Sequence, residues 1–382
     1  MIFYSEKNVY EAGKDRIRWI FDEFPDRKIV VGFSGGKDST VVLNLCHEVM
    51  QERGIEKIPV FFCDQEAEAP QTIEYVREVM NYDWVEPYWI QSYFQEWNSS
   101  LGDWFNVWGE GEEWCREKEP NNPYTNCKYD KTKHFKEVLD SMLRYHFGDD
   151  YVCLGGVRTE ESPARRGALT NGAFYKDITW GKQASKKGLV FYPIWDWCIN
   201  DVWYYIFSNN ISYCKLYNYL FTQKPLRLCR VSSYIHENAI QDLKYIREIS
   251  PNFYARILKR VENVNTTVQS YSSLCRYVES LPPYFESWDE YVYYLIDNLI
   301  HVEKNKITMK KTYDGHVRRW MERFKGFEEG EKYVQEVLGH TAAVCVVAED
   351  IEMSKIQNKI PQIIGYYKEH KDEIERANKE SI

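Results

Sequence analysis

The amino-acid sequence predicts an α/β fold: a doubly wound, mostly parallel sheet followed by a helical C-terminal region. Three observations carry that prediction. Through the first half of the chain, short β-branched runs alternate with segments of helical periodicity. Glycine-rich or acidic turns follow three of those runs, where sheets of this kind place their ligands. From about residue 211 strand patterns cease, and apolar residues recur at helical spacing to the end.

The elements follow in order. Residues 28–33 read as a buried strand, and 38–51 as a helix with Val41, Val42, Leu45 and Val49 on its apolar face. Residues 58–63 form a second strand, 69–80 a helix and 84–90 a third strand. A helix is expected over 131–147, then a strand over 151–154 that ends in Gly155 and Gly156. A last strand spans 189–192, before a helix over 200–207. The stretch 93–126, rich in Trp, Gly, Asn and Pro, interrupts the pattern and reads as an insertion or lid. Helical segments are expected over 237–248, 251–264, 288–305, 329–338 and 360–378. The domain division drawn from this is 1–210 and 211–382.

Composition narrows the function classes. With 44% hydrophobic and 16% aromatic residues, the 382-residue chain has ample material for a core. A net charge of −9 argues against wholesale non-specific nucleic-acid binding. No run approaches about 18 consecutive apolar residues, so no membrane span is expected. The first residues lack the layout of a signal peptide, and the ten cysteines are scattered mostly through apolar segments. Reduced thiols and a cytoplasmic location are expected.

The sharpest feature is Ser34-Gly35-Gly36-Lys37-Asp38-Ser39, between a β-branched strand and a helix. Small residues let backbone N–H groups approach an anion, and the helix N-terminus adds partial positive charge. A Walker-type loop needs a glycine five positions before Gly-Lys and a Ser or Thr after the Lys. Val31 and Asp38 stand there instead. The stretch resembles the PP-loop of the ATP pyrophosphatase, or adenine nucleotide alpha hydrolase, superfamily. That resemblance implies an ATP or related adenylyl-nucleotide site and cleavage of the α–β linkage. Asp38 would cap the helix or help position Mg²⁺.

Two further motifs extend the resemblance. Cys63-Asp64-Gln65-Glu66 ends the second strand, with Asp64 a candidate for Mg²⁺ or the ribose. Gly155-Gly156-Val157-Arg158-Thr159-Glu160-Glu161-Ser162-Pro163-Ala164-Arg165 follows the fourth strand. Glycines permit close backbone approach, and arginines offer planar recognition of anions. Together with Tyr192-Pro193-Ile194-Trp195-Asp196-Trp197, which reads as structural, these resemble the phosphoadenosine phosphosulfate (PAPS) reductase family over about residues 25–210. The resemblance implies that Ser34, Gly35, Gly36, Lys37, Asp38, Ser39, Asp64, Gly156 and Arg158 bind the nucleotide. It gives Lys37, Arg158 and Arg165 the catalytic roles. Asp38 and Asp64 become the Mg²⁺ candidates.

Within the family, Cys229-Arg230-Val231-Ser232-Ser233 followed by His236 resembles the group that contains the immunoglobulin-binding regulator A. That likeness implies a ParB-like protein partner. The Glu-Cys-Gly-(Leu/Ile)-His segment of true PAPS reductases is absent: Cys275 lies in Ser-Leu-Cys-Arg and Cys345 in Ala-Val-Cys-Val. No Cys-Cys or Cys-x-x-Cys occurs, so no iron–sulfur cluster is expected. Cys229, flanked by Arg227 and Arg230, is the one thiol in an evidently cationic setting.

Residues 304–325 hold eight Lys/Arg against Asp314 and Glu322, with Tyr313, Trp320 and Phe324 interleaved. They would suit either a nucleic-acid surface or a solvated helix face. The leading expectation is an enzyme that binds ATP with Mg²⁺ and activates an acceptor by adenylylation, releasing pyrophosphate. The alternatives are a PAPS or adenylyl-sulfate reductase or sulfotransferase, and a nucleotide-binding regulator or component of a DNA-modification or defence complex. The sulfur-insertion protein of DNA phosphorothioation systems shares the same two motifs.

Overall fold

Ile29, Val30 and Val31 form the middle strand of the sheet, β1 (Ile29–Gly32). Val30 and Val31 are fully buried, as a parallel strand covered on both faces requires. The structure, a computed structural model, describes residues 7–98, 103–170, 172–236, 239, 242–262, 264, 280–300, 302–347 and 350–380. Cys275 and part of the helix expected over 237–248 lie outside the described residues.

After helix α1 (Val9–Glu23) and β1 come α2 (Lys37–Arg53), β2 (Ile58–Cys63), α3 (Pro70–Met80) and β3 (Val85–Ile90). Next are β4 (Phe94–Asn98), β5 (Asp103–Val107), α4 (Phe135–Phe147), β6 (Val152–Leu154), α5 (Pro163–Thr170), β7 (Gly181–Gln183) and β8 (Leu189–Phe191). The six-stranded sheet has the order β3-β2-β1-β6-β8-β7. All its neighbours pair in parallel except β7, which runs antiparallel to β8. The chain winds outward from β1 through β2 and β3, then crosses to β6 on the other side. Strand order therefore reverses between β1 and β6, and the crevice at their carboxyl ends is where such sheets bind ligands.

Three elements depart from the sequence expectation. Helix α1 has no counterpart in it; the Asn8 side chain caps this helix through Glu11 N at 2.9 Å, and Ile17 and Ile20 are buried beneath it. The insertion contains an antiparallel pair, with Phe94 opposite Val107. The edge strand β7 is the third.

The described residues divide into two compact units, 1–265 and 266–382. Among the described residues the last strand is β8, which ends at Phe191, and helices α6 (Ile199–Ser208), α7 (Leu216–Gln223), α8 (Leu243–Ile249) and α9 (Pro251–Arg260) belong to the first unit. The reason is burial: Tyr217 and Tyr234 are sequestered, and Tyr234 N donates to Ala67 O at 2.9 Å.

The second unit contains α10 (Trp288–Leu299), α11 (Glu303–Phe324), α12 (Glu328–Val347), α13 (Ser354–Glu369) and α14 (Lys371–Glu380). Its core includes Val292, Ile296, Met309, Tyr313, Trp320, Phe324 and Leu338. The three aromatics of stretch 304–325 are thus core residues and offer no stacking surface. Lys304, Lys311, Arg318 and Lys325 remain exposed. Among the described residues no helix is long and apolar enough to cross a membrane.

Candidate functional site

Loop 34–39 leaves β1 and enters α2 at the reversal crevice. Gly35 has φ +70°, a left-handed conformation that favours glycine, and a Cβ there would come within 2.9 Å of Thr72 Cγ2. Hydroxyls organise the turn. Ser34 N donates to Ser39 Oγ at 3.2 Å, Gly36 N to Ser34 Oγ at 3.3 Å, and Ser39 Oγ to Gly36 O at 2.9 Å. Gly36 is the N-cap of this 17-residue helix and has no side chain of its own to accept from the first-turn N–H groups at its positive end.

Charged side chains converge on that helix end. Lys37 Nζ meets Asp38 Oδ2 at 2.9 Å, and Arg158 Nε donates to Asp38 Oδ1 at 2.6 Å. Arg158 also donates to Glu160 Oε2 at 3.0 Å and to Trp197 O at 3.1 Å. Burial pushes the Asp38 carboxyl up, but Lys37 and Arg158 outweigh it and hold the group below its ordinary value. Burial pulls the Arg158 guanidinium down, and Asp38 and Glu160 more than restore it. Gly156 makes the approach possible: a Cβ there would lie 2.6 Å from Asp38 C and 2.7 Å from Ser39 N.

The structure thus brings together Ser34, Gly35, Gly36, Lys37, Asp38, Ser39, Gly156 and Arg158. Arg165 sits farther out, partly exposed and paired with Glu161. Arg230 Nη2 donates to the Glu161 main-chain oxygen at 3.1 Å, so two guanidiniums hang on one glutamate.

Other residues at the site escape the sequence reading. Lys37 N donates to the Tyr217 hydroxyl at 3.1 Å, and Lys37 Nζ reaches Cys229 O at 3.5 Å. Tyr217 lies in an ordinary apolar helical segment 180 positions away, with no motif to mark it.

Asp64 belongs to a different cluster. Fully buried, it accepts from Trp89 Nε1 at 2.7 Å, Gln91 Nε2 at 3.0 Å and Glu66 N at 3.0 Å, and pairs with Arg116. None of these contacts reaches loop 34–39. Magnesium fits neither candidate as arranged: both Asp38 oxygens face cations, and both Asp64 oxygens already accept hydrogen bonds. The described residues contain no group of three or more His, Cys, Asp or Glu suited to a metal ion.

Hydrogen bonds join the insertion to the turn after β2. Buried Glu66 accepts from Trp108 N at 2.9 Å, Cys115 N at 3.0 Å and Arg260 Nε at 2.7 Å.

Residues 28–223 match the phosphoadenosine phosphosulfate reductase domain, and residues 224–382 match a domain of unknown function, DUF3440. The Escherichia coli (strain K12) uncharacterized protein YbdN is 28% identical over 312 residues, covering 76% of this chain and 75% of that one. An FMN adenylyltransferase structure from Candida glabrata aligns with 57% of this chain at 17% identity and a TM-score of 0.36. The chain spans 63% of that enzyme's length. A PAPS reductase structure from Candida auris, in a phosphate complex, aligns with 57% of this chain and 93% of its own at 18% identity and a TM-score of 0.32.

Proposed function

Because the chain belongs to the phosphoadenosine phosphosulfate reductase domain family, we propose that loop 34–39 binds the phosphates of ATP or a related adenylyl nucleotide. The reaction proposed is adenylylation of an acceptor: its nucleophile attacks the α-phosphorus, and the bond to pyrophosphate breaks. The observation that carries this reading is the convergence of Lys37, Asp38 and Arg158 at the N-terminus of α2, in the crevice where strand order reverses.

Charge builds on the α-phosphate oxygens and on the departing pyrophosphate. Cationic groups and helix-end amides already in place stabilise that charge with little reorganisation. Lys37 and Arg158 are each nearly buried, which strengthens their fields relative to exposed charges. In the proposal an incoming phosphate takes over part of the role Asp38 now fills toward both cations. Arg165, at the rim, assists the leaving group. A ParB-like partner and a cytoplasmic location enter this proposal through the family resemblance alone, and no step is routed through magnesium.

Reduction of PAPS by thiol attack is less well supported. Burial raises the Cys229 thiol above its ordinary value, although Lys224 and Lys37 pull the other way. Its sulfur donates to Lys224 O at 3.7 Å and Pro225 O at 3.6 Å, as an unreactive thiol does.

Calorimetric titration with ATP, adenylyl sulfate and PAPS, followed by mass analysis of the products, tests the proposal. ATP binding with pyrophosphate release supports it. Sulfite release from PAPS with a thiol donor, lost in Cys229→Ser, would replace it with the reductase reading.

A further inference from the structure

Beside the cluster around Asp64, the first unit has an open cavity of about 350 Å³. Its walls come from α3 and the turn before it, from the insertion, and from α9. Ile73 and Phe253 give it apolar surface, while Arg77, Arg116 and Arg256 line it with guanidiniums and Glu68 with a carboxyl group.

The cations differ in what already holds them. Arg77 meets Glu119 at 2.9 Å, and Arg116 is paired with Asp64. Arg256 is exposed at the rim and enters no ion pair among the described residues. It therefore presents a planar, two-pronged donor to the cavity mouth. Glu68 is 4% exposed. Burial together with Asp64 and Glu96 pushes its carboxyl up to about 8, against the pull of Arg116. Near neutral pH it is mostly protonated, so it donates a hydrogen bond instead of repelling an anion. Glu74, Glu117 and Glu119 also line the cavity: Glu119 is paired with Arg77 and Arg116, while Glu74 and Glu117 are exposed, where solvent and salt screen them.

We propose that this cavity binds a small organic oxyanion, a carboxylate or phosphate monoester on an apolar body. Arg256 holds the anionic head, Glu68 donates to it, and Ile73 and Phe253 cover the body. Wall residues on α3 and residues facing loop 34–39 occupy different sides of one helix: Thr72 borders Gly35, whereas Ile73 and Arg77 line the cavity. The cavity is thus a second site, separate from the nucleotide cradle. Its role as the acceptor site rests on the adenylylation reading above; the binding itself does not.

The test is equilibrium titration of the full chain with benzoate and with phenyl phosphate, and with ATP in parallel. At least one probe binds the unaltered chain, and which one distinguishes a carboxylate head from a phosphate head. Arg256→Gln weakens that probe about tenfold or more and leaves ATP binding as it was. Lys37→Ala leaves probe binding intact. Failure of both probes to bind in the millimolar range overturns the proposal, as does unchanged affinity in Arg256→Gln. Loss of probe binding in Lys37→Ala also overturns it, because the probe would then sit in the cradle. If ATP fails to bind while a probe binds through Arg256, the nucleotide reading falls and the cavity stands.

Discussion

Arg158 Nε donates to Asp38 Oδ1 across 2.6 Å, joining two motifs 120 positions apart in the chain. One motif ends β1 and the other follows β6, and the two strands are neighbours in the sheet. The contact makes one cationic cradle out of two separate stretches of sequence.

Removing Arg158 leaves Asp38 with Lys37 as its remaining counter-charge and forfeits a charge-assisted hydrogen bond, at a cost of about 1.5–3 kcal/mol. Arg158→Ala is expected to lower thermal stability and to abolish ATP-dependent pyrophosphate release. Arg158→Lys, which keeps the charge but not the planar fork, should regain much of the stability but little of the turnover. Denaturant melts beside a pyrophosphate assay check this, and undiminished turnover in Arg158→Ala would contradict the cradle's role.

Lys37→Ala removes a near-buried cation from the same site. Its expected effect is a fall in turnover of about 100-fold or more, the scale seen when one transition-state donor is lost. The far-ultraviolet circular dichroism spectrum should not change. Turnover within a few-fold of the unaltered chain would refute the assignment.

A methyl group at position 156 has no space, since its Cβ would sit 2.6 Å from Asp38 C. Gly156→Ala should cost about 1–3 kcal/mol of stability through overpacking. By pushing the Arg158 loop away from α2, it should also weaken nucleotide binding. Unfolding and calorimetric titration of the same preparation report both effects.

The Glu68 carboxyl, pushed up to about 8, makes stability depend on pH. Between its ordinary acidic range and about pH 8 the folded chain holds a proton there that the unfolded chain has released. The contribution is therefore fully present at low pH and lost as pH rises through about 8. Asp64, Glu96 and Arg116 face this carboxyl and act on it in the same window. Glu68→Gln should flatten the decline, leaving the variant more stable than the parent at alkaline pH. Melting temperatures measured across pH 5–9, a range of about four pH units, decide it; parallel curves for the two proteins would be the contrary result.

Much of the nucleotide half is legible in the order of residues along the chain. Val30 and Val31 sit in a β-branched run, Gly35 and Gly36 follow it, and Val41, Val42, Leu45 and Val49 recur at helical spacing. These are local signals, produced by backbone sterics and one-dimensional periodicity. Helix α1 lacks such a signal, because only Ile17 and Ile20 of its apolar residues are fully buried and charged residues fill most of the rest. The insertion's strands are five residues each, too short for alternation to stand out.

By itself the sequence determined the α/β alternation, the phosphate-cradling turn at residues 34–39 and the second motif through Arg165. Each depends on residues adjacent in the chain, where composition and spacing speak directly. Tertiary structure decided the rest. It set strand order, and so placed Arg158 rather than Asp64 against Asp38. It brought the Tyr217 hydroxyl to the Lys37 amide across 180 positions, and it assembled an open cavity from α3, the insertion and α9. Such contacts follow from how buried surfaces meet in three dimensions, and short stretches of sequence hold no record of that.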